Sequence, residues 1–573
     1  MTRKAHVSAQ ALGQKADAVA KTLTAARTYH NQGQVKLAED LYRQVLALDA
    51  NNVDALHLLG VALLQSGAFE ESIRFLKKAR RRSPKDAAIL VNLGSALRQS
   101  MELHQSKDMR QAKETYESAI KLSPNLAVAH FNLGRVFFDM EDMDNAIACY
   151  ERARELDPDD AETYVNLGNA YNYGGKSDKA LEAYEQAVRL SPNLAQAYGN
   201  MGSIFADRRE WDKAFGLLDK AIAINPRPGE LRFKRSMLAL RCGDLERGWK
   251  DYDSRYFADI ERIPRFAEPP PYWRGEDLAG KTILLWMEQG LGDEVLYSSM
   301  IPEIAALARH CILECSPRMV PVFTRSFPQI KTVRYQAQGV RTTPPSEFDV
   351  QISVTSLGKY FRSNFTKFPR HQGYLKADSE RVKQLRSRYE ALAKRNLIVG
   401  LSWRSKNQLM NIPKSADLTT WSDVFAVPGV TFVNLQYGDC AEELSAVKDK
   451  FGVDVFQDPD VNSMKNMDGF FAQVAAMDVV VTTSNTTVHV AGSQNVPTLL
   501  MIPPPPLSLW YWFMDRDDSP WYPSVQIFRN PARGDSFKFT DEEKLRHAID
   551  WSVPLAKVAE ALASKSQRKT SAP

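Results

Sequence analysis

Residues 132–158 read NLGRVFFDMEDMDNAIACYERARELDP, and residues 166–192 read NLGNAYNYGGKSDKALEAYEQAVRLSP. The two stretches align at an offset of 34 residues, and the offset continues outward: Gly60 and Gly94 stand 34 apart, as do Gly134, Gly168 and Gly202. Each glycine follows an apolar residue, in order Leu59, Leu93, Leu133, Leu167 and Met201. Small residues recur 12 positions later at Ser72, Ala146, Ala180 and Ala214. Large ones follow at Leu76, Tyr150, Tyr184 and Leu218, then Ala79, Ala153, Ala187 and Ala221, and the units close on Pro84, Pro158, Pro192 and Pro226. Small residues let two antiparallel helices approach closely, large ones fill the holes between successive hairpins, and proline stops the second helix. A sustained period of this kind reads as a solenoid of helical hairpins.

The unit opened by Gly94 keeps the pattern at Ala112, Tyr116, Ala119 and Pro124, but six extra residues near Glu102–Asp108 stretch it. A degenerate unit spans about Val19 to Asn52, with Ala38 and Tyr42 in register; a last one runs from about Gly229 to Tyr256, with Gly248 and Tyr252 at matching places. Across 19–256 the chain resembles the tetratricopeptide repeat family, which implies a superhelix whose concave groove takes a protein or peptide. Candidate groove residues are Asn132, Asn166, Asn169 and Asn200, whose amides are able to clamp an extended backbone through paired bonds. The competing reading is that they cap or bridge neighbouring helices.

Hydrophobic residues make up 44% and charged residues 25% of the chain, as in ordinary globular domains, and its 573 residues imply two or three of them. A net charge of +5 without a basic stripe gives no reason to invoke nucleic acid. The five cysteines, Cys149, Cys242, Cys311, Cys315 and Cys440, are scattered, with no C-x-x-C pair and no histidine at zinc spacing, so no metal site is expected. No secretory leader is legible before Ala20 and no apolar run approaches the roughly 20 residues of a membrane span, so a cytoplasmic location is expected. The Ser/Lys/Ala-rich segment 561–573 reads as a disordered tail.

Composition changes at 257–279, a linker stiffened by Pro264, Pro269, Pro270 and Pro271 beside Tyr272 and Trp273. Beyond it, short apolar runs such as Thr282–Met287, Cys311–Cys315, Val350–Val354, Leu397–Trp403, Val479–Thr482 and Thr498–Ile502 alternate with helical segments, including Glu294–Arg309 and Ser379–Arg395. Such alternation predicts parallel, doubly wound sheets. Two Rossmann-like halves are expected, at 280–378 and 396–550, facing across a cleft. Ligands of open α/β sheets bind beyond the strands' carboxyl ends, so the loops there carry the information.

Three such loops stand out. Glu288-Gln289-Gly290-Leu291-Gly292-Asp293-Glu294 joins a strand to a helix through two glycines, which permit a tight turn and close backbone approach. Asp293 capping the helix explains the same residues without any ligand. Ser402, Arg404 and Lys406 follow another strand and offer hydroxyl and cationic groups to a phosphate, or form a solvated basic loop. Ser484, Asn485, Thr486 and Thr487 end a third strand and start a helix bearing His489, an anion-ready arrangement of hydroxyls and free N–H groups. Gln436, after another strand, is a candidate to contact a nucleotide base or ribose. Asp458-Pro459-Asp460 reads as a turn rather than a metal motif.

With Ser519-Pro520-Trp521-Tyr522-Pro523, these loops make residues 280–550 similar to glycosyltransferase family 9, the heptosyltransferase-like enzymes. The resemblance implies a GT-B fold with an acceptor half and a nucleotide-sugar half. It implies Asp293 as general base, Ser484 to Thr487 on the diphosphate, and His489 as the family's histidine, so Asp293 and His489 are the catalytic candidates and Gly290, Gly292 and Glu294 are substrate-binding candidates. Ser484 departs from the family's usual aspartate. The expected whole is an α-helical tetratricopeptide superhelix followed by an α/β GT-B-type double Rossmann-like domain. It would move sugar from a nucleotide-sugar co-substrate, with no cofactor, to an acceptor recruited by the repeats. A repeat scaffold carrying a non-catalytic transferase-like domain is the alternative. A dinucleotide enzyme is a weaker third, lacking the third glycine of the fingerprint. The transferase reading requires the loops around Gly292 and Asn485 to open into one crevice.

Overall fold

The computed structural model describes residues 2–100, 107–226, 229–256, 271–288, 290–334, 342–405, 415–504, 507–531 and 549–570. The chain divides into two compact units, with the division between Ile204 and Phe205.

The first unit is built of antiparallel helix pairs: α1 (Thr2–Asn31) with α2 (Val35–Leu48), α3 (Val53–Gln65) with α4 (Phe69–Arg82), and α5 (Ala87–Gln99) with α6 (Lys107–Leu122). Next come α7 (Ala127–Asp139) with α8 (Met143–Leu156), α9 (Ala161–Tyr173) with α10 (Ser177–Leu190), and the start of α11 (Ala195–Asp207). Pairs through α8 also pack on their successors, giving a helical superhelix. The periodic glycines face the large residues of their own hairpins. A Cβ on Gly60 would lie 2.5 Å from Leu76, on Gly94 2.7 Å from Tyr116, on Gly134 2.8 Å from Tyr150 and on Gly168 2.6 Å from Tyr184. The absent side chain is therefore what lets each buried ring or isobutyl group lie across the first helix. Pro84, Pro124, Pro158 and Pro192 all fall just past the second helices, as the repeat pattern requires. The first pair is longer than the pattern indicated, because α1 begins at Thr2 rather than near Val19. Of the six-residue stretch in the Gly94 unit, 101–106 lie outside the described residues.

The second unit opens with α12 (Trp211–Ile224), followed by the hairpin of α13 (Gly229–Cys242) and α14 (Leu245–Tyr252). Here the small residues are exchanged: Ser236 stands 34 residues after Gly202, and Gly248 34 after Ala214. The device survives, since Ser236 Oγ donates to the Gly248 carbonyl at 2.8 Å much as Ser72 Oγ donates to the Gly60 carbonyl at 2.6 Å. Trp249 is buried, donates to the Arg362 carbonyl at 2.9 Å and fills the space that a side chain at Gly358 would need. One continuous apolar core includes Leu240, Leu245, Trp249 and Tyr252 of this hairpin and residues of both α/β lobes. The expected boundary between repeats and α/β domain at 256/257 thus falls inside a shared core.

The first lobe has strands β1 (Thr282–Trp286), β2 (His310–Cys315), β3 (Lys331–Arg334) and β4 (Val350–Ser353) in the order β3-β2-β1-β4. The second has β5 (Leu397–Ser402), β6 (Val430–Asn434), β7 (Val455–Phe456), β8 (Val479–Thr483), β9 (Thr498–Ile502) and β10 (Val525–Arg529), in the order β10-β9-β8-β5-β6-β7. All pairings between these strands are parallel. Each sheet starts in its middle and reverses direction, between β1 and β4 in one and between β5 and β8 in the other, and open α/β sheets bind their ligands at such switch points. Of the linker, 257–270 lie outside the described residues; its end pairs with β4, Tyr272 bridging Gln351.

Two expectations are corrected, and one strand was not anticipated. Strand β3 was not legible, because Lys331-Thr332-Val333-Arg334 is a short edge strand with charged ends. The helix expected over Glu294–Arg309 is instead α15 (Leu291–Tyr297), a 3-10 turn and a second short helix at Ile301–Ala305 with Pro302 in its first turn. Helix α16 (Ser379–Ala393) separates the lobes in sequence, and α17 (Thr486–Ser493) follows β8. The tail expected to be disordered belongs, through Thr570, to α18 (Ser552–Thr570). Its Leu555, Val558 and Leu562 are buried at helical spacing, Ser566 Oγ donates to the Pro428 carbonyl at 2.8 Å, and Lys569 pairs with Asp478 at 2.5 Å. Composition alone concealed that apolar stripe.

Gly134→Ala should destabilise the first unit by about 1–3 kcal/mol despite alanine's better helix propensity, through overpacking against Tyr150. Gly216→Ala in α12, where the added carbon meets nothing within 4 Å, should be neutral or stabilising. Chemical denaturation of both variants reads the contrast.

Candidate functional site

The loop after β1 is fixed at its glycines. Gly290 is exposed and its carbonyl accepts the N–H groups of Asp293 and Glu294 at 2.9 and 3.0 Å, starting α15. Gly292 meets the opposite lobe: a Cβ there would lie 2.9 Å from His489 Cδ2. The loops after β1 and β8 therefore meet across the lobes and touch at this point, whereas the transferase reading requires them to open into one crevice. The space between Gly292 and His489 is packed.

Asp293 is half-buried. Burial first, with the Asp293 charge adding to the effect, raises the hydroxyl pKa values of Tyr252, Tyr297, Tyr511 and Tyr522. Glu294 points the other way. It is 2% exposed and accepts the Ser316 N–H at 3.2 Å, pinning the turn after β2. Burial pushes its carboxyl up to about 8, so it is an internal neutral acid rather than a ligand-facing anion.

His489 is buried, with both ring nitrogens engaged: Nδ1 lies 2.9 Å from the Tyr522 hydroxyl and Nε2 3.3 Å from that of Tyr511. The Trp512 ring stacks on it at 5.6 Å. The ring is thus engaged at both nitrogens and one face where it meets Gly292 of the other lobe. Trp512 also donates its indole N–H to Ser484 Oγ at 2.9 Å. Asn485 caps α17 by accepting the Thr487 N–H at 2.9 Å and donates to Ser402 Oγ at 2.9 Å, while Thr487 Oγ1 donates to the same Ser402 oxygen at 3.2 Å. Ser402, Ser484, Asn485 and Thr487 are thus brought together at the second switch point, but buried and bonded to the protein. Thr486 remains half-exposed.

Gln436 is also turned inward. Its Oε1 accepts the N–H groups of Trp403 and Arg404 at 2.8 and 2.9 Å, shaping the loop after β5. Arg404, partly exposed, pairs with Glu443 at 3.0 Å and donates to the Asp439 carbonyl. Lys406 and Gln289 lie outside the described residues. Asp458 and Asp460 are both held by Arg388, at 2.8 and 2.7 Å.

In the first unit, Asn132 and Asn166 donate back to the carbonyls of Val128 and Glu162 four residues earlier, at 2.8 and 3.0 Å. Asn169 Oδ1 accepts from Tyr184 at 2.7 Å and from Asn200 at 2.8 Å, a bridge between adjacent repeats. The bridging alternative accounts for that pair. Sequence reasoning missed Arg255 and gave Glu288 no role. The two form a buried ion pair at 2.6 Å where β1 ends. The only local signal was the cluster Tyr252, Arg255 and Tyr256 closing the last hairpin.

Tetratricopeptide-repeat family models match residues 29–97, 93–126, 125–193 and 165–227, and these residues form tetratricopeptide repeats. The chain is similar to protein FlbA of Caulobacter vibrioides, 33% identical over 311 residues, which are 52% of this chain and 51% of FlbA. It thus spans about half the length of that curated relative. Among solved structures it is similar to a thermophilic TPR protein of Thermus thermophilus (20% identity, 34% of this chain, 98% of the other, TM-score 0.29). A crystal structure of MamA aligns at 27% identity (30% and 97% of the chains, TM-score 0.27), and Pseudomonas aeruginosa PilF at 17% (37% and 94%, TM-score 0.33). No helix among the described residues is long and apolar enough to cross a membrane.

Glu294 provides a pH test. Its folded carboxyl titrates near 8 against 4.5 unfolded, so the folded state keeps a proton that the unfolded state has released, and stability should fall as pH rises between those values. Glu294→Gln should flatten that slope in denaturation melts from pH 5 to 8.

Proposed function

We propose that the second unit is a GT-B-type glycosyltransferase acting on a nucleotide-sugar, with a protein or peptide acceptor recruited by the repeats. The observation that supports it best is the juxtaposition of the half-buried Asp293 carboxylate, on α15, with the strand-end loops of the second sheet, through the contact of α15 with α17. The switch-point topology of both sheets and the resemblance of the three loops point the same way.

In this reading Asp293 takes the proton of an acceptor hydroxyl as its oxygen bonds to the anomeric carbon. The bond to the diphosphate breaks, and its electron pair stays on the departing phosphate oxygen. Arg404, Lys406 and the exposed side of Thr486 would meet that charge; donors held in place before the reaction are often the largest catalytic contribution. Ser402, Gln436, Ser484, Asn485 and Thr487 shape the loops from beneath, and His489 with Gly292 closes the lobes. In the repeats, Asn132 and Asn166 are the groove asparagines not spent on bridging to another repeat.

One set of observations favours the alternative scaffold with a non-catalytic α/β unit. The polar groups of Ser484, Asn485, Thr487 and His489 are spent on the protein itself. The two readings separate in a thermal-shift screen of the full chain with UDP-, ADP-, GDP- and dTDP-sugars. A ligand at a hundredfold excess over its dissociation constant adds about 2.7 kcal/mol to native stability, a rise of several degrees. With the donor so found, Asp293→Asn should abolish turnover while leaving the shift nearly intact. A flat screen would leave the scaffold; equal loss of binding and turnover would make Asp293 structural.

A further inference from the structure

The switch point of the first sheet is occupied by the chain's own guanidinium. Arg255 lies in the 3-10 turn Asp253–Tyr256 that closes the last repeat hairpin. Its Nη2 reaches Glu288 Oε1 at 2.6 Å, Thr355 Oγ1 at 2.8 Å and Ser356 Oγ at 2.9 Å; its Nη1 donates to Asp253 and to the Tyr252 carbonyl at 2.9 Å each. The guanidinium is stacked over Tyr252 and Tyr256, each ring centre 4.1 Å away. Ser353 Oγ donates to the same Glu288 oxygen at 2.6 Å, and Thr355 Oγ1 also donates to it. The side chains of Arg255 and Glu288 are only 3% and 4% exposed. Burial opposes the charge on Glu288, yet Arg255 and the hydroxyls outweigh it and hold its carboxyl below the ordinary value. A buried pair of this kind is strongly disrupted when one partner is removed, because the other charge is left unpaired.

Its placement gives the pair a use. Glu288 is the first residue of the loop that ends in Asp293. At the far end of α15, Tyr297 meets Tyr252 of the same hairpin, hydroxyl to hydroxyl at 3.5 Å. The hairpin therefore holds the Asp293 segment before and after the carboxylate. We propose that Arg255 is a positioning residue: by pairing with Glu288 at the first sheet's switch point it fixes the loop that presents Asp293 to an acceptor. This rests on the transferase reading above.

The test uses the full chain carrying Arg255→Met or Arg255→Lys, with nucleoside diphosphate release from the donor giving the largest thermal shift. Arg255→Met should lower kcat about tenfold or more with donor KM nearly unchanged, and Lys should restore part of the loss. Hydrogen exchange should rise over 288–297 and not over 479–493. Unchanged kcat, a loss carried by KM, or exchange that is unaltered or raised uniformly would overturn the proposal. If the wild type releases no diphosphate from any of the four donor classes, the transferase reading fails by itself, and the exchange pattern alone then decides the positioning role. Should Arg255→Met not fold, Tyr252→Phe removes one hydroxyl only. It should loosen 291–297 locally, and no local change refutes the hold of the hairpin on α15.

Discussion

The absence of a side chain at Gly292 is what lets the two α/β lobes close on each other. The His489 ring occupies the space a β-carbon would take, and Tyr511, Trp512 and Tyr522 hold that ring through both nitrogens and one face. The loops at the carboxyl ends of two parallel sheets are thereby kept in contact, and Asp293, next in sequence, is half-buried beside their junction. The candidate chemistry of the second unit rests on that closure. It brings an acidic group of one lobe to the strand ends of the other, and it also shuts the space directly between Gly292 and His489.

The same constraint governs the repeats on a smaller scale. Gly60, Gly94, Gly134 and Gly168 each make room for a large residue of the following helix. The last hairpin exchanges the roles of its small residues and keeps the close approach through the Ser236 to Gly248 bond. That hairpin then contributes Trp249 to the core of the α/β lobes and Arg255 to their first switch point. Repeat and sheet are consequently not beads joined by a linker: a repeat element is built into the fold that carries the candidate chemistry.

What was legible in the sequence was whatever repeats or alternates locally. The 34-residue spacing exposed the hairpins, and apolar runs exposed most strands, because both patterns are written by neighbours in the chain. Strand β3 was hidden by its charged ends, and α18 by a Ser/Lys/Ala composition that masks Leu555, Val558 and Leu562. The loops bearing Gly292 and Asn485 were found, since glycines and hydroxyls at strand ends are local too. Which way their side chains turn was not legible. Glu294, Gln436, Asn485 and His489 all point into the protein, toward partners up to 83 residues away in sequence, as with Asn485 and Ser402. The Arg255 to Glu288 pair spans 33 residues and a change of fold class, which no spacing rule reaches.

The closure itself is open to direct measurement by a double-mutant cycle between Gly292→Ala and His489→Ala, read by chemical denaturation of the second unit. In the wild-type background the added methyl should cost about 1–3 kcal/mol, as overpacking does in tight interiors. In the His489→Ala background the ring is gone and the same methyl should be nearly free, leaving a coupling of comparable size between the two sites. Additive effects, with Gly292→Ala equally harmful whether or not the ring is present, would mean that the lobes are not joined there.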